Sequence, residues 1–366
     1  MDRAKRIGEN LRSLRKFAGL NQRELGEALG YSTKAVSKWE SGAGLPPTAI
    51  LPELARALRT DVNALLDLRT APEYYLGIDG GGTKTDFKLV DSEGEAAGEK
   101  RIALSACNPT SVGLAECLRI LTEGATRICA GIEPGLVSVH AGIAGAGVGG
   151  NAGAIRTELE KLGFAAVGVS NDAYNAVYAG LGKGDGVAVI IGTGSVVYSA
   201  AGGVRRKLGG WGHLVGDPMS GSGLGRAALE TVLRELSGCG VSTALKGILE
   251  PGDRTPERII ERLYAEGKSF PASLAPGFFD CVRAGDAEAN RILEEDLERL
   301  AELIRSALKD QRDPKTAPVV LFGGICAHRD VFLERLKKLT GAGDLRIAQR
   351  SPVEGALIQA GAEVIK

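Results

Sequence analysis

The sequence predicts a small all-α head followed by a larger α/β body of two lobes. In residues 1–69, apolar residues repeat at helical spacing and glycines end the repeats. From residue 74 onward, short valine- and isoleucine-rich runs alternate with longer amphipathic stretches, a pattern typical of α/β domains. A chain of 366 residues is long enough for two or three hydrophobic cores. We expect a head at 1–69, a linker at 70–73, and lobes at 74–180 and 181–366, with the C-terminal helix able to return to the first lobe.

Composition narrows the class of protein. Apolar residues make up 44% of the chain, charged residues 25%, and the formal net charge is zero, values ordinary for a globular protein. No run of about 18 apolar residues is present, so no membrane partner is expected. The six cysteines form neither a CxxC pair nor a Cys/His cluster. We therefore expect reduced thiols in a cytoplasmic protein, and no metal or iron–sulfur site built on cysteine.

The head is predicted to contain a helix-turn-helix. Asn21 and Ser32 can each cap a helix, and Gly19, Gly30 and Gly42 can each end one. The turn of about three residues around Gly30 is typical of the motif. The expected helices are one carrying Ile7, Leu11, Leu14 and Phe17, then Gln22–Leu29, Thr33–Glu40, 49–58 and 61–66.

Charge and helix periodicity indicate a polyanionic partner for this head. Residues 1–70 carry 12 Lys and Arg against 8 Asp and Glu, a net charge of +4, and the rest of the chain carries −4. On the third helix Val36 and Trp39 are expected to face inward. The side chains predicted to contact DNA are the outward-facing Thr33, Lys34, Ser37 and Lys38, together with Gln22 on the phosphates.

The head resembles the phage repressor/Cro (XRE) DNA-binding domain over the full length of that domain. The resemblance is carried by the segments LNQRELGEALGYSTKAVSKWESG and LPELARALRTDVNALL. The resemblance implies binding to a DNA operator. A homodimer is then expected, because one helix-turn-helix contacts only half of an operator. A helical protein-interaction module whose Lys34 and Lys38 are merely solvated is the alternative.

Strands and helices alternate through the body. Strands are predicted at Val137–Ile143, 167–170, 187–191 and 319–322, and helices at 152–162 and 288–308. Earlier in the body, the stretch GIDGGGTKTD at residues 77–86 predicts a strand, a glycine turn and a second strand. Backbone N–H groups at Gly81 and Gly82 can approach phosphate oxygens, and Asp79 can hold a hydrated Mg²⁺. A plain hairpin with a glycine turn is the alternative for this stretch.

Two further glycine-bearing strand ends extend this interpretation. Gly192-Thr193-Gly194-Ser195 follows one strand, and Gly323-Gly324 follows another, before a helix expected to start near Arg329. Two phosphate loops and a later Gly-Gly against adenosine resemble the architecture shared by actin, sugar kinases and heat-shock chaperone ATPases, with ribonuclease H-like lobes. No Walker A sequence is present. A competing dinucleotide-binding fingerprint exists at residues 145–150, with Asp172 following it, but it leaves the other two glycine loops unexplained.

Several motifs in order identify a closer resemblance across the body. They are GIDGGGTKT, NPTSVG at 108–113, AGIAGAG at 141–147, SNDAYNA at 170–176, IIGTGS at 190–195, GGWGHLVGD at 209–217 and LFGG at 321–324. In these the body resembles the BadF/BadG/BcrA/BcrD ATPases and, among them, the N-acetylglucosamine kinases. The dehydratase-activator branch carries cluster-binding cysteines beside its glycine loops. This chain has none there, so that branch is set aside.

The resemblance implies roles for individual residues, with ATP and Mg²⁺ as cofactors. Thr83 and Thr193 would contact phosphates, Asp79 would lie near Mg²⁺, and Asp172 would be the general base on the sugar hydroxyl. The sugar would contact Asn108, Ser195, Gly210, Trp211, Gly212 and Asp217. Simpler roles are a helix cap for Asp172, a core position for Trp211 and a turn position for Asn108. His213 is assigned no chemistry.

One segment departs from the kinase pattern. Where the kinases typically continue GDEGSG with an aromatic pair, this chain has GDPMSGSG at 216–223, with Pro218 and Met219. The change removes a glutamate and a bulky wall from the sugar rim. It fits either a roomier pocket, such as one for N-acetylmuramic acid, or a body that binds without catalysis. Three functions stay open: a sugar kinase that also regulates genes, an inactive sugar-sensing repressor, and a kinase with a protein-binding head.

Overall fold

The computed structural model describes residues 3–58, 60–66, 72–92 and 101–362. Contacts between the α-carbons divide the chain into two compact units. One contains residues 1–74 with 131–138 and 163–165, and the other contains the remainder. The boundaries predicted at 69, 74 and 180 stay a prediction, and residues 70 and 71 of the linker predicted at 70–73 lie outside the described residues.

The head forms the predicted helices. Asn21 Oδ1 accepts from Glu24 N while Glu24 Oε2 accepts from Asn21 N, so a capping box starts the second helix. Gly30 ends it with a φ of 72°, which a side chain would disfavour. The segment predicted as one helix at 49–58 instead begins with a 3₁₀ turn, because Pro52 fits only in the first turn of an α-helix. The helices are α1 Arg3–Phe17, α2 Gln22–Leu29, α3 Thr33–Glu40, α4 Leu51–Ala57 and α5 Val62–Leu65.

The first sheet of the body has the strand order β3-β2-β1-β4-β5. Its strands are β1 Tyr74–Gly80, β2 Lys84–Asp91, β3 Arg101–Ser105, β4 Val137–Ile143 and β5 Ala166–Ser170. The predicted hairpin is present as β1 and β2, joined by residues 81–83. The helices of this part are α6 Pro109–Val112, α7 Leu114–Ile128, α8 Asn151–Glu160 and α9 Asp172–Leu181.

The second sheet repeats the same order, β10-β9-β6-β7-β8. Its strands are β6 Gly186–Ile191, β7 Ser195–Ala201, β8 Val204–Leu208, β9 Pro318–Phe322 and β10 Asp344–Ile347. Strands β6, β7 and β8 pair antiparallel, while β9 and β10 pair parallel on the other side of β6. Its helices are α10 Gly221–Leu236, α11 Pro256–Glu266, α12 Ser269–Ser273, α13 Ala275–Arg283, α14 Ala287–Leu308 and α15 Arg329–Thr340. The two sheets share one strand order, and this confirms the predicted two-lobed α/β fold class.

The last described helix, α16 Pro352–Ala360, packs against the first sheet rather than the second. Leu357 on α16 is fully buried in a cluster with Val90 of β2. Glu354 Oε1 accepts from Lys88 Nζ at 2.8 Å. The chain therefore passes from the second sheet back to the first. No helix among the described residues is long and apolar enough to cross a membrane.

Candidate active site and DNA-binding surface

A cavity of about 400 Å³ in the body brings together residues of both sheets. We call it the aspartate cavity. Its wall includes eight of the residues predicted for catalysis, phosphate, adenosine and sugar: Asp79, Asp172, Gly194, Ser195, Gly210, Gly212, Asp217 and Gly323. These residues are far apart in the sequence, and they lie close together only because the two sheets and their connecting loops pack beside the same cavity.

Asp79 lies in β1, next to the last residue of that strand. Its Oδ1 accepts a hydrogen bond from Asn175 Nδ2 at 2.7 Å. Burial, reinforced by the charge of Asp172 and opposed by the Asn175 hydrogen bond, raises the pKa of Asp79 to about 6. The carboxylate is therefore ionised at neutral pH but held in an environment that disfavours its charge.

Asp172 is the first residue of α9, directly after the cap Asn171. Asn171 Oδ1 accepts from Ala173 N at 3.1 Å, and Asp172 Oδ1 also accepts from this N–H at 3.0 Å. The capping position of α9 thus belongs to Asn171, while Asp172 contributes a carboxylate to the cavity. Burial raises the pKa of Asp172, which makes it a stronger proton acceptor once ionised.

The two carboxylates fit a hydrated divalent cation. The charge of Asp172 raises the pKa of Asp79, and Lys84, which lowers that pKa, is itself paired with Asp86 at 2.7 Å. A bound cation would offset this unfavourable charge. No group of three or more His, Cys, Asp or Glu able to hold a metal occurs within the described residues. Mg²⁺ suits such a site, since it keeps several waters and shares its remaining contacts with phosphates.

The first glycine loop begins at Gly81, directly after Asp79 and Gly80. Gly81 N donates to Lys84 O at 3.0 Å, which closes the turn, and nothing lies within 4 Å of a Cβ built on Gly82. Thr83 is exposed at the tip. The three residues do not line the aspartate cavity, so their phosphate role stays a prediction.

The second glycine loop is held by the start of α10. Gly192 O accepts from Gly221 N at 2.7 Å, and Thr193 O accepts from Ser222 Oγ at 2.7 Å. Ser195, which follows the loop, lines the cavity, and its buried Oγ lacks a hydrogen-bond partner within the described structure. A buried hydroxyl without a partner calls for a polar ligand or water.

Gly323 marks a close crossing of two backbones. Its φ is 106°, and a Cβ built there would lie 2.2 Å from Ile191 O, so only glycine fits. Gly324 starts a 3₁₀ turn at Gly324–His328, and α15 then begins at Arg329, as the sequence predicts. Backbone without a side chain at this cavity wall is compatible with the predicted adenosine contact.

Residues 216–223, which depart from the kinase pattern, have a strained backbone and are held by a hydrogen bond to Asp296 of α14. Asp217 and Met219 have φ angles of 64° and 60°, in the left-handed region that non-glycine residues rarely adopt. Asp217 Oδ1 accepts from Gly212 N at 3.3 Å, while the buried Asp296 accepts from Met219 N at 3.0 Å. The Met219 side chain is itself fully buried, so it faces the core rather than the sugar rim. Strain of this kind is common at functional sites.

Two predicted sugar residues lie off the aspartate cavity. Trp211 is 69% exposed, with Lys207 Nζ 5.0 Å from its ring centroid, so the alternative that it is a core residue is wrong. It lines a second cavity of about 700 Å³ between α10, α14 and residues 209–218. Asn108 caps α6, and its Oδ1 accepts from Thr110 N at 3.0 Å, as a turn residue would.

Sequence reasoning missed several residues that the structure places at this site. Lys207 and Tyr198 line the aspartate cavity, and Asn175 contacts Asp79 from α9. The motif SNDAYNA contained a usable signal, because Asn175 lies about one helical turn after Asp172 and therefore on the same side of α9. No sequence pattern pointed to Lys207.

The dinucleotide-binding alternative is not supported. Residues 145–150 do lie between β4 and α8, but none of them lines the aspartate cavity. The sheet is also mixed, since β2 and β3 pair antiparallel, whereas the sheet of a Rossmann fold is mostly parallel.

The head presents the predicted surface on α3. Val36 is fully buried and Trp39 is 5% exposed, whereas Thr33, Lys34, Ser37 and Lys38 are exposed. Gln22 Nε2 donates to Glu40 Oε2 at 2.8 Å, so part of its amide is engaged inside the head. Burial opposes the charge of Glu40, but hydrogen bonds from Arg15 and Gln22 outweigh it and lower the pKa of Glu40. This buried network fixes α3 against α1 and α2.

Comparisons with known proteins agree with both parts. Residues 76–360 match the model of the BadF/BadG/BcrA/BcrD ATPase family, and residues 6–68 match that of a helix-turn-helix domain. The head is of the XRE-like type.

Two curated relatives and one solved structure are similar to the body. The N-acetylmuramic acid/N-acetylglucosamine kinase of Clostridium acetobutylicum is 30% identical over 73% of this chain and 90% of its own length. The N-acetyl-D-glucosamine kinase of Dictyostelium discoideum is 29% identical over 73% and 89%. The crystal structure of a candidate N-acetylglucosamine kinase from Chromobacterium violaceum superimposes with a TM-score of 0.66, at 26% identity over 80% of this chain and 100% of that one.

Proposed function

This chain belongs to the BadF/BadG/BcrA/BcrD ATPase family, and we propose that it is a DNA-binding transcriptional regulator that also phosphorylates an N-acetylated amino sugar. The observation that carries the enzymatic part is the pairing of Asp79 and Asp172 in one cavity with the second glycine loop. Phosphoryl transfer needs a positioned acceptor, neutralised phosphates and a carboxylate beside the nucleophile. The aspartate cavity offers a residue for each requirement.

The roles divide between the two carboxylates. Asp172 accepts the proton of the sugar hydroxyl, and its raised pKa favours that transfer. Asp79 would hold a Mg²⁺ ion through water, and that ion would supply the positive charge that neutralises the ATP phosphates. Backbone N–H groups of Gly82 and Gly194, with the hydroxyls of Thr83 and Thr193, bind phosphate oxygens, while the N–H of Gly81 closes the turn.

The sugar is assigned to the side of the cavity formed by Ser195, Gly210, Gly212 and Asp217. Ser195 Oγ has a buried and unused hydrogen-bonding capacity, and Asp217 is a buried acceptor. These groups suit hydroxyl and amide hydrogens, and both curated relatives carry names that include N-acetylglucosamine. N-Acetylglucosamine and N-acetylmuramic acid are therefore the substrates to test first. Trp211 would join these contacts if the segment around 209–218 moves toward the sugar, and Asn108, which caps α6, stays a predicted sugar contact outside the cavity wall.

A phosphotransfer assay tests the kinase against the inactive sensor. The protein is incubated with labelled ATP, Mg²⁺ and N-acetylglucosamine, N-acetylmuramic acid or glucose, and sugar phosphate is separated and counted. Transfer to an N-acetylated sugar above the glucose control is expected. If none of the N-acetylated hexosamines is phosphorylated while they still raise the melting temperature, the kinase proposal is wrong and the sensor holds.

The regulatory part of the proposal rests on the head. A homodimer in the cytoplasm would place two recognition helices on an operator, with sugar and ATP binding in the body changing operator affinity. Linkage of this kind is typically worth about 1–3 kcal/mol, and it is reciprocal. Titrating the sugar with and without operator DNA measures it. Equal dissociation constants in the two titrations would show that head and body act independently.

A further inference from the structure

Asn175 is fully buried on α9, and none of the roles proposed above uses it. Its Nδ2 lies 2.7 Å from Asp79 Oδ1, 3.2 Å from Ile78 O and 3.3 Å from Gly142 O. All three are oxygens that only accept at neutral pH. The amide therefore has a single orientation, with its nitrogen toward Asp79.

The oxygen of the same amide is held from another helix. Gln359 on α16 donates from Nε2 to Asn175 Oδ1 at 3.0 Å. This Nε2 also lies 3.3 Å from Gly355 O, a second pure acceptor, so the orientation of the Gln359 amide is fixed as well. The hydrogen bonds thus run in one direction, from α16 through Asn175 to the carboxylate of Asp79.

Two glycines make room for this arrangement. A Cβ on Gly142 would lie 2.2 Å from Asn175 Oδ1, and a Cβ on Gly355 would lie 1.8 Å from Asn175 O. Any side chain at either position would displace Asn175 or separate α16 from α9. The packing around Asn175 is therefore built to hold its amide against Asp79.

We infer that Asn175, oriented by Gln359, is a positioning residue that fixes the Asp79 carboxylate for the hydrated cation on the ATP phosphates. The inference rests on the proposed function. The hydrogen bond from Asn175 occupies Oδ1, which leaves Oδ2 to receive a water of the ion in a set direction. Asp172 is the first residue of α9, and Asn175 lies about one turn later on the same helix. One helix therefore carries both the proposed proton acceptor, Asp172, and the residue that orients the Asp79 carboxylate.

The test is the dependence of ATP binding on Mg²⁺, measured by calorimetry without any turnover. The ratio of the ATP dissociation constants in EDTA and in Mg²⁺ isolates the contribution of the ion. Asn175→Ala should reduce this ratio about 10-fold and leave ATP binding in EDTA unchanged, as loss of a partner of a metal-side carboxylate does. Gln359→Met, which removes only a donor outside the cavity, should reduce it by a smaller factor, about 3-fold.

Gln311→Met is the matched control. Gln311 is a buried glutamine, whereas Gln359 is partly buried, and the Nε2 of Gln311 donates to Gly186 O and Ser199 Oγ, away from the cavity. Its variant should keep the wild-type ratio. If Gln359→Met is folded by its melting curve and keeps the wild-type ratio, the inference is overturned while the proposed function stands. A wild-type protein that binds no ATP would overturn both.

Discussion

The recognition surface of the head and the cavity of the body are built in opposite ways. Four of the five residues predicted to contact DNA lie on α3, a helix of eight residues. The aspartate cavity draws on five strands (β1, β6, β7, β8 and the end of β9), on α9, on the first residue of α16 and on the loops between them. The first surface needs only one correctly oriented helix, whereas the second needs two sheets in register. Substitutions should therefore have local effects in the head and effects spread across elements in the body.

The largest expected effect is on turnover in the body. Asp172→Asn keeps the shape of the side chain and an oxygen for the Ala173 N–H but removes the proton acceptor. Turnover with an N-acetylated amino sugar should fall by about 10²–10⁴-fold while ATP still binds. Steady-state kinetics and calorimetry measure the two quantities. Asp185→Asn serves as the control, because the Asp185 carboxylate accepts from Gly202 N outside the cavity. Full activity of Asp172→Asn would show that Asp172 is not the general base.

The next effect tests how the cavity depends on distant packing. Gly355→Ala places a methyl group against the backbone of α9, so the free energy of unfolding should fall by about 3 kcal/mol. Gly153→Ala is the matched control, because Gly153 also lies near the start of a helix but meets open space. That control should gain about 0.5–1 kcal/mol from helix propensity. Urea unfolding compares them, and similar stability of the two variants would contradict the close approach of α16 and α9.

A smaller effect concerns the charge of Asp79. Because burial raises its pKa from 3.8 to about 6, the folded chain holds this proton more tightly than the unfolded chain. Its ionisation therefore lowers the free energy of unfolding as pH rises from about 4 to about 6. In EDTA, Asp79→Asn should be up to about 3 kcal/mol more stable than wild type at pH 8 and no more stable at pH 4. Urea unfolding at both pH values measures it, and a pH-independent difference would count against a buried carboxylate.

The smallest effect is expected in the head, where the side chains are exposed. Lys34→Ala with Lys38→Ala should weaken operator binding and lower the slope of log affinity against log salt by about one per lysine that contacts a phosphate. Folding should be unchanged, since neither side chain is buried. Lys337→Ala with Lys338→Ala on α15 removes two exposed lysines from the body and controls for net charge. Equal slopes in both double variants would exclude α3 as the DNA-binding helix.

The structure also shows why some predictions succeeded and others did not. Asn21, Ser32 and Gly30 act within a few residues of themselves, so the helices they bound could be predicted almost to the residue. The strands with continuous apolar runs, such as Val137–Ile143, were equally clear. The 49–58 helix was less well predicted, because Pro52 shifts the start of its α-helical part to Leu51.

The sequence by itself determined the two-part organisation, the helix-turn-helix and the glycine loops, and it singled out Asp79 and Asp172 as candidate site residues. These features depend on local spacing, and local spacing is visible along a chain. Only the tertiary structure decided that hydrogen bonds connect Gln359 through Asn175 to Asp79, that Trp211 is exposed, and that Lys207 lines the cavity. Each of these contacts joins elements far apart in sequence, as Asn175 and Gln359 are across 184 positions, and it forms only once the two sheets and α16 have packed.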